Sequence, residues 1–384
     1  MRRTLLLNWV YYRPVGHVVE ALKVARGFVD ADCDLEVSVL LNADSAAELA
    51  DACPWISRGY AVDTHEVARL GADAPTLRRI PRVWDYVAID RRAVDDRADL
   101  LPDLRAFHDA ADEYFEARIW QGAQVVPSPA GAPPYRLDAP IRLDVPAAAR
   151  EFAAGYAPAS PRIGLLLAGS SPEPLYPPLI IWERLVQALA DEFPDAGLYV
   201  TGSSGRTTGR TTTYRYPRAA LDGLFARVSR AVDCYDLGLW RQLGLIERCD
   251  VFIAPHTGFA FLAPCVGTPW LAISGGRWPE YLFNRTPFSC VLPRCPRCPR
   301  YPCYHGRMLP DCVERLDGHR PILCMEAGPL GTRIPDIVDE VQRLLNPGFT
   351  YEQAVALHIQ RIRAAPVAHR RFFSFDRAIR LTSA

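Results

Sequence analysis

Short apolar runs closed by glycine, proline or polar residues alternate along this chain with stretches whose apolar residues share one helical face. The first pattern marks buried parallel strands and the second amphipathic helices, so their alternation predicts an α/β fold. Strands are expected at residues 4–11, 35–41 and 83–89, with helices at 18–28 and 45–52. Residues 13–17 (Arg13, Pro14, Val15, Gly16, His17) read as the loop between the first strand and the first helix. Residues 128–161 are rich in proline and alanine, the composition of an inter-domain linker, with a short strand at 141–145. The strand pattern restarts at 162–167 and continues at 197–201, 234–239, 251–254 and 270–273. Helices are expected at 179–189, 240–248, 334–345 and 351–363.

The stretch at residues 243–278 organises the second half. It reads as a helix end, a buried strand, a tight turn at His256, Thr257 and Gly258, a short helix, a Gly267-Thr268-Pro269 turn and a second buried strand. A helix opening on Thr-Gly exposes unpaired amides and the positive end of its dipole, which suits a diphosphate.

At 384 residues the chain is too long for one ordinary core and fits two domains. Its 44 basic and 44 acidic residues cancel, which argues against a general polyanion binder. Lys23 is the single lysine, and a bias towards a GC-rich bacterial genome explains the arginines better than a phosphate site does. The apolar N-terminal run is short and lacks a small-residue cleavage site, and no run approaches the ~20 apolar residues of a membrane span. A cytoplasmic protein is expected, whose cysteines are thiols or metal ligands rather than disulfides.

Leu243, Leu245, Ile246, Cys249, Asp250, Ile253, Thr257, Gly258, Leu262, Ala263, Gly267, Thr268 and Pro269 together resemble the donor-binding half of heptosyltransferase-like enzymes, glycosyltransferase family 9. That family usually has Asp before Thr-Gly, where this chain has His256. The resemblance implies the GT-B fold, two Rossmann-like domains facing across a cleft. The expected division is an acceptor-binding domain at 1–155, a nucleotide-sugar donor domain at 160–346 and a tail at 347–384 crossing back to the first. It further implies an inverting, metal-independent glycosyltransferase. The donor is a nucleoside-diphosphate sugar and the acceptor carries a hydroxyl. Lipopolysaccharide core is the family's usual acceptor, whereas the arginine-dominated composition, that of a GC-rich bacterium without lipopolysaccharide, points to a secondary metabolite or other cell-surface glycan. Two other readings stay open: a GT-B-type sugar-nucleotide epimerase, and a catalytically silent nucleotide-sugar-binding protein.

Site residues follow from the same resemblance. Where family 9 commonly reads Gly-Asp after the first strand, this chain reads Gly16-His17, like other GT-B glycosyltransferases. His17 is the candidate base, since imidazole titrates near neutrality, and Glu20 one turn later can orient it. Ser170 and Ser171 are candidate phosphate donors, standing without the lysine that family members often carry nearby. Gly202 is expected at the nucleotide, and His256, Thr257, Gly258 and Phe259 at the diphosphate or sugar. Arg277 is expected to supply the missing positive charge.

Cys295, Cys298 and Cys303, followed by Cys324, match the cysteine spacing seen in family 9, with Cys312 as a substitute. They can close a structural zinc site or remain thiols or a disulfide; no cofactor is expected for catalysis. Arg294, Arg297 and Arg300 would suit single-stranded nucleic acid, but the uncharged chain argues against that partner.

Overall fold

A computed structural model describes residues 2–10, 13–89, 133–134, 136, 139–156, 158–205, 216–274, 283–291 and 310–363. The chain divides into two compact units. One is built mainly from residues 1–144 and the other mainly from 145–373.

In the first unit, β1 (Arg3–Trp9), β2 (Leu35–Asn42), β3 (Arg58–Val62) and β4 (Tyr86–Ile89) form a sheet ordered β3-β2-β1-β4. Every pairing is parallel. Helix α1 (Val15–Ala31) links β1 to β2, and α2 (Thr64–Leu70) and α3 (Pro75–Arg78) follow β3. The central strands β1 and β2 are almost wholly buried, as their near-continuous apolar runs require. The pattern does not announce β3, because it is an edge strand in which only Val62 is buried. Residues 47–52 form a 3-10 helix rather than an α-helix.

The loop expected at residues 13–17 is shorter than that. Pro14 caps α1 in an extended conformation, and Val15, Gly16 and His17 already form its first turn. The amides of a first helical turn have no intrahelical acceptor, so a proline at the entrance costs no hydrogen bond.

The strand expected at 141–145 does not form. Ile141, Leu143 and Val145 are buried in strict alternation, but they pair with no ladder. Their pattern records a chain pressed on a core, which alternation alone cannot distinguish from a strand. The proline-rich stretch also holds a helix, α4 (Ala147–Ala154), packed on a later helix through Gly244.

In the second unit the strands are β5 (Arg162–Leu166), β6 (Gly197–Gly202), β7 (Ala231–Tyr235), β8 (Val251–Pro255), β9 (Trp270–Ile273) and β10 (Phe288–Val291). Its helices are α5 (Leu179–Glu192), α6 (Arg218–Arg227), α7 (Leu239–Glu247), α8 (Leu262–Cys265), α9 (Pro310–Asp317), α10 (Ala327–Gly331), α11 (Ile334–Leu345) and α12 (Tyr351–Arg363). The sheet order β10-β9-β8-β5-β6-β7 is parallel throughout. Numbered within the unit, this is the 3-2-1-4-5-6 order of the doubly wound dinucleotide-binding fold. Trp182, Leu185, Val186 and Leu189 of α5 and Ile337 and Val341 of α11 join the strands in one core.

Candidate functional site

In a doubly wound sheet the direction of winding reverses between two neighbouring strands, leaving a crevice beyond their carboxyl ends where ligands bind. Here the reversal falls between β5 and β8, which are paired at Ile163–Val251, Gly164–Phe252 and Leu165–Ile253. The loop leaving β5 carries Gly169, Ser170 and Ser171; the turn leaving β8 carries His256 to Phe259. The two meet. A Cβ placed on Gly169 would fall 2.6 Å from the Thr257 Cβ and closer still to its hydroxyl. Only a glycine lets the β5 loop lie against Thr257, which is itself buried.

The expected helix dipole at Thr257 is absent. Residues 257–263 wind as successive tight turns, with Ala260 N–H donating to the Thr257 carbonyl at 3.0 Å and Leu262 N–H to the Phe259 carbonyl at 3.0 Å. The helical segment begins only at Leu262 and runs four residues, too short to develop a macrodipole. What the turn does offer is amides. Among the described residues, neither the Gly258 nor the Phe259 N–H donates a hydrogen bond.

Ser170 is exposed and Ser171 half-buried. The Ser171 N–H is already committed, donating to the Tyr176 hydroxyl at 2.8 Å. Tyr176, which stands about where family 9 members often carry a lysine, is therefore a buried brace for the loop. Its hydroxyl also lies 3.0 Å from where a Gly169 Cβ would stand. The sequence reading missed both Gly169 and Tyr176; a lone glycine beside two serines looks like an ordinary turn, and only the packing shows otherwise.

His256 is half-buried and meets Phe261 edge-on, with ring centroids 5.1 Å apart at 68°. The contacts continue through Trp270 (5.7 Å), Phe283 (5.4 Å) and Phe288 (3.8 Å, stacked), so His256 stands at one end of a packed aromatic file. The Gly202 carbonyl accepts from the Gln242 side chain at 2.7 Å and the Asp236 N–H at 3.0 Å, which makes Gly202 a structural anchor at the end of β6. Asp236, in a left-handed conformation at φ 59°, accepts from the Ser204 N–H at 2.9 Å and from the Ser204 hydroxyl. Burial acts to raise the Asp236 carboxyl, but the hydrogen bonds from Ser204 outweigh it and hold the group below the usual carboxylate range.

The shared motif around this crevice is largely architectural. Asp250 accepts from the Arg162 N–H at 2.7 Å and ties β8 to β5. Thr268 donates its hydroxyl to the Ile246 carbonyl at 2.6 Å, and Gly267 turns at φ 89°. Cys249 is buried against Gly164, and burial raises its thiol far above the ordinary range, so it stays protonated.

In the first unit, His17 Nδ1 lies 3.2 Å from Glu20 Oε2, the imidazole about a third exposed at 32% and the carboxylate buried at 8%. Both stand on the first turns of α1, at the carboxyl end of β1.

Arg277, Cys295, Cys298 and Cys303 lie outside the described residues, as do Arg294, Arg297 and Arg300. Cys324 and Cys312 are both buried in the second unit's core. Among the described residues, no group of three or more His, Cys, Asp or Glu is placed to hold a metal, and no helix is long and apolar enough to cross a membrane.

No protein-family model and no curated protein matches the sequence. Solved structures do resemble the fold. The ADP-heptose LPS heptosyltransferase II of E. coli aligns over 89% of this chain and 98% of its own, at 13% identity and a TM-score of 0.54. A family 9 glycosyltransferase from Veillonella parvula aligns over 90% and 97%, at 10% identity and a TM-score of 0.57. Two parallel α/β units in this order give the chain the GT-B fold of the heptosyltransferase-like glycosyltransferases.

Proposed function

We propose that the chain is an inverting glycosyltransferase that moves a sugar from a nucleoside-diphosphate donor to a hydroxyl of a secondary metabolite or cell-surface glycan. One observation carries the reading: the loops after β5 and β8 press together at the switch point of the second sheet, with Gly169 against Thr257 and the Gly258 and Phe259 amides beside them. That is where this kind of sheet binds a nucleotide, and amides in a turn suit an anion. The resemblance to glycosyltransferase structures supports the same reading at the level of fold.

In the proposed chemistry His17 takes the proton from the acceptor hydroxyl. The oxygen attacks the anomeric carbon from the face opposite the diphosphate, and the carbon–oxygen bond to the diphosphate breaks with inversion. Charge growing on the leaving group meets Gly258, Phe259, Thr257, Ser170 and Ser171 as donors, and Arg277 as cation. Gly202 and His256 complete the proposed donor pocket. The donor domain of this proposal is 160–346, the acceptor domain 1–155 and the tail 347–384, in a cytoplasmic enzyme. No step uses a metal. Zinc on Cys295, Cys298, Cys303 and Cys324 enters only as a structural element, and metal analysis of the purified chain decides between zinc and thiols.

The test is a panel of nucleotide sugars, assayed for hydrolysis and for transfer to simple acceptors, with wild type and His17→Ala. Transfer by the wild type, reduced about 10²–10⁴-fold in kcat by His17→Ala, is the expected result. Donor converted to an isomer without any acceptor makes the chain an epimerase. A donor-induced rise in melting temperature without turnover makes it a silent binder.

A further inference from the structure

We propose that Glu20 is a positioning residue, which locks the His17 imidazole in the tautomer protonated at Nδ1 and so presents Nε2 as the proton acceptor. The inference rests on the reading of His17 as the base and adds how that base is held ready.

The geometry comes from the helix. Residues three apart on a helix stand over one another, and α1 has begun by Val15, so His17 and Glu20 share one face. Had residues 13–17 been the loop that the sequence suggests, this spacing would not have fixed the pair. Glu20 Oε2 is 3.2 Å from Nδ1, within reach of a hydrogen bond to that nitrogen. An ionised carboxylate only accepts, so the facing nitrogen carries the proton and the other ring nitrogen is left with its lone pair.

The two side chains also differ in exposure in the sense that the role requires. Glu20 is buried at 8%, where few rotamers are open to it, whereas His17 keeps 32% of its surface accessible for a reactant. Among the described residues Glu20 is one of few buried charged ones, with Lys23 one turn further along α1, its ammonium donating to the Ala139 carbonyl. Burying a carboxylate without partners is costly, and an imidazole N–H is one partner that offsets the cost. Free imidazole in peptides favours the other tautomer, so an unsupported His17 would mostly offer an N–H where a base needs a lone pair.

Ring-nitrogen NMR of the full chain labelled with ¹⁵N-histidine reads the tautomer directly. His17→Gln identifies the signal. The expected result is a neutral His17 held predominantly in the Nδ1–H form, preserved in Glu20→Gln, whose side-chain oxygen still accepts, and lost in Glu20→Ala. A wild-type His17 in the Nε2–H form, or a tautomer ratio unmoved by Glu20→Ala, overturns the proposal. Should Glu20→Ala not fold, the wild-type ratio alone decides. With a donor and acceptor in hand, Glu20→Ala is expected to lower kcat tenfold or more. Donor KM is expected to stay within twofold, and Glu20→Gln to restore most of kcat. A locked tautomer in a chain without transfer activity would sink the proposed enzyme and leave the pairing standing.

Discussion

Gly169 and Thr257, 88 residues apart in sequence, pack so closely that a Cβ on the first would overlap the side chain of the second. The contact joins the loops leaving two adjacent strands at the point where the sheet reverses its winding. Gly169→Ala must push Thr257 and the Tyr176 hydroxyl away together, and neither is the free end of a flexible side chain. Overpacking of this kind costs about 1–3 kcal/mol. The expected outcome is a lower urea midpoint together with loss of nucleotide-sugar binding. Gly328→Ala, where nothing lies within 4 Å, is the control and should change stability by less than about 1 kcal/mol.

Thr268 separates architecture from binding. From the turn between α8 and β9 its hydroxyl reaches back to the Ile246 carbonyl at the end of α7. Thr268→Val removes this donor but leaves the carbonyl the Cys249 N–H at 2.9 Å, so the loss is expected to be about 0.5–1.5 kcal/mol in chemical denaturation. Donor affinity measured well below the unfolding transition should remain within about twofold of wild type. A large loss of affinity in a folded variant would move Thr268 into the binding site.

His358 predicts an acid-sensitive fold. Burial, with Arg361 nearby, depresses its pKa to about 3 from an ordinary 6.5. Above pH 6.5 both folded and unfolded chains keep the group neutral, and it makes no pH-dependent contribution. Between about 6.5 and 3 the unfolded chain binds a proton that the folded chain refuses, so stability falls as pH falls, by up to about 1.4 kcal/mol per unit. His358→Met should flatten the stability–pH curve over that window. An unchanged slope would show that other groups govern acid unfolding.

Glu340 anchors the last described helix. Its buried carboxylate accepts from Arg343 at 2.6 Å, from Arg361 of α12 and from Ser289 of β10, while Arg361 also donates to the Ser289 hydroxyl at 3.0 Å. Both arginines are partly exposed, so solvent moderates the pairing and the network is worth less than a fully buried one. Glu340→Ala should cost about 1–3 kcal/mol, mostly from polar groups left unpaired, and tryptic cleavage within α12 should speed up. Unaltered cleavage would mean that apolar contacts alone hold α12.

The candidate site was only partly legible in the sequence. Thr257, Gly258, Ser170 and Ser171 were visible because loops at the ends of buried strands are where polar side chains and glycines collect. Tyr176 carried no site signal in the sequence, yet the fold uses it to brace the Ser171 amide. Asp250 and Thr268 belong to the recognisable motif and prove to hold strands and turns together. A motif preserves what the backbone needs as readily as what a ligand needs, and spacing alone does not separate the two.

By itself the sequence determined the alternating α/β order, the buried central strands and the loops that border the switch-point crevice of the second sheet. Those follow from local periodicity and from where glycine and proline interrupt it. Tertiary structure decided the rest. It placed β3 at an edge where no apolar run was required, turned the alternating residues 141–145 into core without a strand, and began α1 early enough to pair His17 with Glu20. It also brought Gly169 onto Thr257. Each depends on which segments become neighbours, and that is set by burial shared between distant residues rather than by the preferences of any one stretch.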